Sequence, residues 1–146
     1  FHVISYQTAD EDLIKVFTGG RKGLRKDGVF IFDFWHGPGV MNDPPYNRIK
    51  EIGNDRIKVR REAMPVLDSD CNIVNIQFNI LVKDLASGIE HTFMETHCLR
   101  YFFPPELFAL LGSCGFSVLN MFSWKRFTRP GPESWYACVV VRRDYE

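Results

Sequence analysis

Glu95, His97 and His91 come nearest in this chain to a metal-ligand set. Glu95 and His97 share one strand face about 6–7 Å apart, but His91 lies roughly 20 Å from His97 along extended chain, too far to share one ion. The pattern reads as paired polar residues on a sheet face, with no metal. Cys71, Cys98, Cys114 and Cys138 contain no C-x-x-C pair. They read as free thiols of a cytoplasmic protein, with Cys114 at an apolar helix end and Cys138 in an apolar strand. No glycine-rich phosphate cradle stands between a strand and a helix. Gly37-Pro38-Gly39 reads as a turn, and Gly19-Gly20 with Gly23 falls inside a helix. Arg56, Lys58 and Arg60 form a short basic stripe. With Glu62 beside it and zero formal net charge, it reads as a solvated face and not a nucleic-acid patch.

These residues are carried by 146 residues with 45% hydrophobic and 25% charged side chains, a balance suited to one packed domain and not to disorder. Aromatics reach 14%, enough to fill a core and to line a pocket. No apolar run approaches a membrane span. The chain opens with Phe1 inside an apolar segment, as though an upstream piece were missing.

Thr8 and Glu11 form a capping-box pair ahead of Leu13, Val16 and Phe17 at helical spacing. Acidic residues at the start and Arg21, Lys22, Arg25 and Lys26 at the end suit the helix dipole, and Asp27-Gly28 stops it. Val29–Trp35 is apolar almost throughout, so the spacing predicts a strand buried on both faces within a parallel sheet. His36 through Pro45 reads as loop. From Arg56 to Tyr101 strict alternation predicts three antiparallel strands with one wet face. Pro104 and Pro105 open a second helix, Leu107, Phe108, Leu110 and Leu111 make its buried stripe, and Gly115 ends it. Phe116–Trp124 suits an edge strand, and the apolar run Trp135–Val141 should lie centrally beside Val29–Phe34.

In open α/β sheets ligands sit beyond the carboxyl ends of parallel strands. Trp35-His36 occupies that position, and so would Tyr6 if a strand preceded Phe1. The antiparallel insertion should overhang the same edge as a lid. Three layers of expectation follow: an α/β core from residues 1–45 and 102–146, an inserted substrate or lid layer from 46–101, and a sheet flank at Val29–Phe34 too apolar to stay uncovered. A homodimer or a strand exchange would cover that flank.

The segments Phe1–Tyr6, Leu24–Asp33 and Thr96–Phe102, the helix ending at Gly115-Phe116 and the final hairpin resemble the second half of a class I S-adenosylmethionine-dependent methyltransferase. The nearest branch acts on small molecules, amino sugars included. That resemblance implies a partial Rossmann-like sheet comprising the last three strands, with the meander inserted. It implies Phe1, His2 and Tyr6 at the methionine end of S-adenosylmethionine, and Trp35, Tyr46, Arg100 and Tyr101 around a small-molecule acceptor. His2 or His36 would take the acceptor's proton, a step usually worth about 10²–10⁴ in rate. Each also reads as an ordinary partly buried histidine. The family's glycine-rich loop and ribose-binding acid have no counterpart here, so this chain alone is expected to be inactive. Two other readings stay open: a non-enzymatic module binding a small ligand, and a dimerising α+β module.

Overall fold

The computed structural model describes residues 1–144. Its strands, β1 (Val29–His36), β2 (Arg48–Gly53), β3 (Ile57–Asp68), β4 (Ile73–Asp84), β5 (Glu90–Phe102), β6 (Phe116–Ser123) and β7 (Tyr136–Arg143), are hydrogen-bonded in the order β2-β3-β4-β5-β1-β7-β6, in a mixed α/β chain. The chain divides into two compact units: Phe1–Pro44 with the described residues from Leu99 onward, and Pro45–Cys98.

The first unit begins with a short 3-10 turn at Val3–Tyr6, followed by helix α1 at Asp10–Gly23. The expected capping box is not formed. Ala9 is the N-cap and no side chain caps it, so Asp10, Glu11 and Asp12 favour the helix start through the dipole alone. The helix also ends at Gly23, before Arg25 and Lys26. Arg143 supplies the stop by donating to the Leu24 carbonyl at 2.6 Å, a long-range contact that local spacing could not reveal.

Strand β1 (Val29–His36) pairs antiparallel with β7 (Tyr136–Arg143) along Val29–Trp35. It pairs parallel with β5 only at Trp35 and His36. β1 is thus mainly an antiparallel strand, contrary to the parallel setting its apolar run suggested. Strand β6 (Phe116–Ser123) closes the far side of β7 as an edge, as its polar residues indicated. Helix α3 (Pro104–Ser113) starts at its two prolines, and Gly115 follows at φ +78°, the left-handed conformation that glycine tolerates best.

Both α1 and α3 cover one face of this sheet. Leu13 and Phe17 from α1 and Leu107 and Leu111 from α3 bury against Phe34, Phe102, Phe116, Val139 and Val141, with Phe30 and Phe32 packed alongside. The opposite face of β1 is open only at its start, where Val29 is 44% and Ile31 59% exposed; Asp33 is half-buried and Trp35 buried. The expectation of a strand buried on both faces therefore holds for one face only, because no described helix lies over the other.

A short helix, α2, occupies Gly37–Asn42 where a turn was expected. Pro38 fits its first turn, and a β-carbon at Gly39 would collide with the Ser134 carbonyl. Glycine at 39 therefore serves close backbone approach.

The second unit holds four antiparallel strands rather than three. β3 (Ile57–Asp68), β4 (Ile73–Asp84) and the first part of β5 (Glu90–Phe102) are extended where strands were expected, but burial alternates clearly only at the start of β4, where Val74 and Ile76 are buried and Asn75 and Gln77 exposed. The addition is β2 (Arg48–Gly53), every residue of which is exposed. Its mixture of Arg, Lys, Glu and Ile gives little periodicity and suits a sheet edge.

Candidate functional site

The alternation of β1 decides which of its side chains can share a site. Phe30, Phe32 and Phe34 turn to the helical core. Val29, Ile31, Asp33 and Trp35 turn to the other face, where β7 places Cys138 opposite Asp33 and Tyr136 opposite Trp35. Trp124 joins them at the end of β6, its N–H donating to the Tyr136 carbonyl at 3.0 Å.

His2 sits on this open face. Its ring stacks on Tyr136, with centroids 4.1 Å apart and planes 9° from parallel, and meets Trp124 edge-on at 5.5 Å. Its Nδ1 lies 2.8 Å from Asp33 Oδ2, and its backbone N–H donates to the same oxygen at 2.8 Å. The ring contact lacks hydrogen-bond geometry, so Asp33 acts on the imidazole through its charge. Nε2 has no partner among the described residues. His2 adopts φ 59°, an uncommon left-handed conformation for a residue other than glycine, with its backbone N–H held by the Asp33 carboxylate. Burial lowers the imidazole below its ordinary value, while Asp33 opposes that shift.

Asp33 is the lone charged residue in the apolar run Val29–Trp35. That was the one local signal that the strand carried something beyond packing, and the sequence reading passed over it. Trp124 and Tyr136 offered no signal, since aromatic residues in strands are ordinary core material.

The other expected site residues go to different places. Trp35 lies on the same face as His2, edge-on to Trp135 at 5.0 Å and Tyr136 at 6.4 Å. Phe1 packs against Trp124, with the Lys125 ammonium 5.6 Å from its ring. Tyr6 ends the 3-10 turn and is partly exposed. Ser5 of that turn accepts from the Trp35 N–H at 3.0 Å and so fixes the turn to β1.

His36 is only 2% exposed, and its Nδ1 is 2.8 Å from the Ser134 carbonyl. Alternation sends it away from the face that Trp35 shares with His2. Burial lowers its pKa, more than the Ser134 carbonyl and Glu133 raise it. The His36 imidazole is thus buried and bound to a carbonyl, apart from His2.

Arg100 is likewise committed internally. It pairs with Asp10 at 2.6 Å and with Glu106, and donates to the Thr8 carbonyl at 3.3 Å, tying β5 to the starts of α1 and α3. Its charge is thereby balanced by two carboxylates within the fold. Tyr101 is fully buried, with Phe103 edge-on at 6.0 Å. Tyr46 belongs to the second unit, where its exposed ring lies 4.3 Å from the Arg48 guanidinium carbon. Also in that unit, His97 Nε2 is 3.3 Å from Glu95 Oε2 and edge-on to Phe78.

All four cysteines are free thiols. No described helix is long and apolar enough to cross a membrane.

No family model matches the chain, and no curated protein matches it. Solved structures do match. An S-adenosylmethionine-dependent methyltransferase from Clostridium acetobutylicum superposes with a TM-score of 0.79 at 18% identity, covering 99% of this chain and 56% of that one. A sugar N-methyltransferase from Streptoalloteichus sp. gives 0.76 at 19% identity, over 99% and 54% of the two chains. An amino pentose methyltransferase from Micromonospora echinaspora, solved with S-adenosylmethionine bound, gives 0.70 at 15% identity, over 98% and 55%. This chain therefore spans a little over half the length of those proteins, and over that span it has the methyltransferase fold.

Proposed function

We propose that this chain serves methyl transfer from S-adenosylmethionine to a small-molecule acceptor, as the portion of the enzyme that handles the acceptor. The observation that carries the reading is the imidazole of His2, held by Asp33 and Tyr136 on the open face of β1, in a chain whose entire fold matches part of such enzymes. A methylsulfonium is a cation, and the rings of Phe1, Trp124 and Tyr136 beside the Asp33 carboxylate suit one. Phe1, His2 and Tyr6 would accordingly meet the methionine end of the donor. The described residues include no strand, glycine-rich loop and helix in succession, so firm donor binding needs groups from outside them.

S-adenosylmethionine brings a methyl group already activated on a sulfonium. The chain's own residues then have two tasks, aligning the acceptor and taking its proton. Trp35 walls the face on which the acceptor atom would lie, and His2 accepts the proton released by an amine or hydroxyl. The amino-sugar enzymes among the structural neighbours support an amine-bearing acceptor, and zero formal charge favours a small molecule over nucleic acid. Four free thiols suit a reducing, cytoplasmic setting.

The test uses methyl-labelled S-adenosylmethionine with a panel of small amines and alcohols, amino sugars included. Label transferred to an acceptor, and diminished about 100-fold or more by His2→Ala, is the expected result. Donor binding without transfer to any acceptor would refute the reading. Micromolar donor binding by residues 1–146 alone would refute its acceptor-side assignment.

A second reading is favoured by the flank of β1 that faces β5. Trp35 and His36 are paired there, yet Val29–Asp33 has no strand partner on that side among the described residues. A homodimer or strand exchange would complete it. Sedimentation equilibrium giving a monomer at all concentrations would refute this.

A further inference from the structure

We propose that Arg48, Lys50 and Arg61 form an anion-binding site on one face of the second unit's sheet, and that its ligand is a small molecule carrying a dianionic phosphoryl group on an apolar body. The site lies wholly within the second unit and does not rest on the methyl-transfer reading.

The pairing of β2 with β3 makes this cluster. Lys50 lies directly opposite Arg61, and Arg48, two residues along β2, lies opposite Ala63, so all three cations turn to one face. Neighbouring β-carbons in the cluster fall about 5–7 Å apart. Like charges set directly opposite one another cost a sheet stability. On the reverse face Arg60 lies 3.6 Å from Glu51, and Lys83 lies 2.9 Å from Glu90. Arg48, Lys50 and Arg61 have no carboxylate partner among the described residues. The carboxylates that alternation puts on their own face are committed elsewhere. Asp84 accepts from the backbone N–H groups of Ala86 and Ser87, and Glu95 lies 3.3 Å from His97.

Two of the three cations are also oriented. The Arg48 guanidinium carbon lies 4.3 Å from the Tyr46 ring centroid, and that of Arg61 lies 5.0 Å from the Phe78 centroid. A guanidinium laid against a ring keeps its N–H edge free, and that edge meets phosphoryl oxygens in pairs. With the Lys50 ammonium beside them, three positive charges face the ligand, and a dianion offsets more of their repulsion than a monoanion does. A second copy of this face would set like charges against like. Beside the cations the same face is apolar. Ile52 is 58% and Phe93 52% exposed, while Ile80, directly opposite Arg61, is half-buried. Phe93 shares this face through Glu95 and His97, because the His97 ring meets Phe78 edge-on. An apolar body attached to the anion therefore has a surface to cover.

Titration of residues 1–146 with phenyl phosphate at constant ionic strength, followed in proton–nitrogen spectra of the backbone and arginine side chains, tests the site. Saturable shifts at Arg48, Ile52, Arg61 and Ile80, with a dissociation constant of about 1 mM or below, are the expected result. Inorganic phosphate, which lacks the apolar body, and benzoate, which lacks the second charge, should each bind about tenfold more weakly. Arg61→Gln and Lys50→Gln should each lose affinity by about tenfold. Lys58→Gln removes a charge from the reverse face of β3 and should bind as the unaltered protein does. Absence of saturable shifts up to about 20 mM would overturn the proposal. So would benzoate or inorganic phosphate matching phenyl phosphate, or Lys58→Gln losing as much affinity as Arg61→Gln, the mark of a diffuse response to charge. Shifts at the same residues on dilution of the free protein would assign the face to a second copy and overturn it equally. None of these measurements involves methyl transfer, so the two proposals stand or fall separately.

Discussion

At the residue scale, the four histidines separate by surroundings and not by type. His2 has an open nitrogen and a carboxylate behind it, whereas His36 has a carbonyl partner and almost no exposure. The lowered pKa of His36 has a consequence for stability. The folded chain holds it neutral, while the unfolded chain protonates it near the ordinary value of 6.5. Below that value the unfolded state binds more protons, so the stability present above it is lost as the pH falls toward the lower, folded pKa. The urea midpoint should therefore drop between about pH 7.5 and about pH 5.5. His36→Asn, whose amide N–H stands where Nδ1 meets the Ser134 carbonyl, should reduce that drop. An equal drop in wild type and variant would exclude His36 as its source. The sequence placed His36 beside Trp35 and invited a shared role. Strand alternation sets neighbours on opposite faces, and the side that faces the core is fixed only by what packs there.

At the element scale, glycines that look alike in sequence do different work. Gly19 lies within α1 with open space where a β-carbon would go, so Gly19→Ala should stabilise the protein by about 0.5–1 kcal/mol. Gly39 lies within α2 against the Ser134 carbonyl, and Gly39→Ala should destabilise by about 3 kcal/mol or more through forced displacement of backbone. Chemical denaturation of the two variants checks both signs, and a neutral Gly39→Ala would contradict the close approach. The same contrast explains the elements that sequence reading located well. α3 carries its own signals, two prolines at the start and Gly115 after the end, and its bounds follow them. α1 lacks a working cap and stops where Arg143, 119 residues further along, satisfies the Leu24 carbonyl. β2 has no pattern of its own and exists because β3 offers it an edge.

At the scale of the whole molecule, the two units differ in how much they bury. The first has a core of aromatic and aliphatic side chains beneath α1 and α3. In the second, Val74 and Ile76 are the buried hydrophobic residues. Hydrogen exchange should therefore be slow in β1 and β7 and approach free-peptide rates in β2, whose residues are all exposed. Equal protection in β1 and β2 would contradict this ranking. Local chemistry alone was enough to specify that β3, β4 and β5 are extended, the helix stripes, the place of β7 beside β1 and the edge place of β6, because periodicity and turn residues act over a few positions. Which face of β1 meets helices, the commitment of Arg100 to Asp10 and Glu106, and the union of His2 with Asp33, Trp124 and Tyr136 were decided only by the tertiary fold. Those contacts join positions from 6 to more than 130 residues apart, and strand pairing across such separations depends on the packing of the entire sheet, which no local window contains.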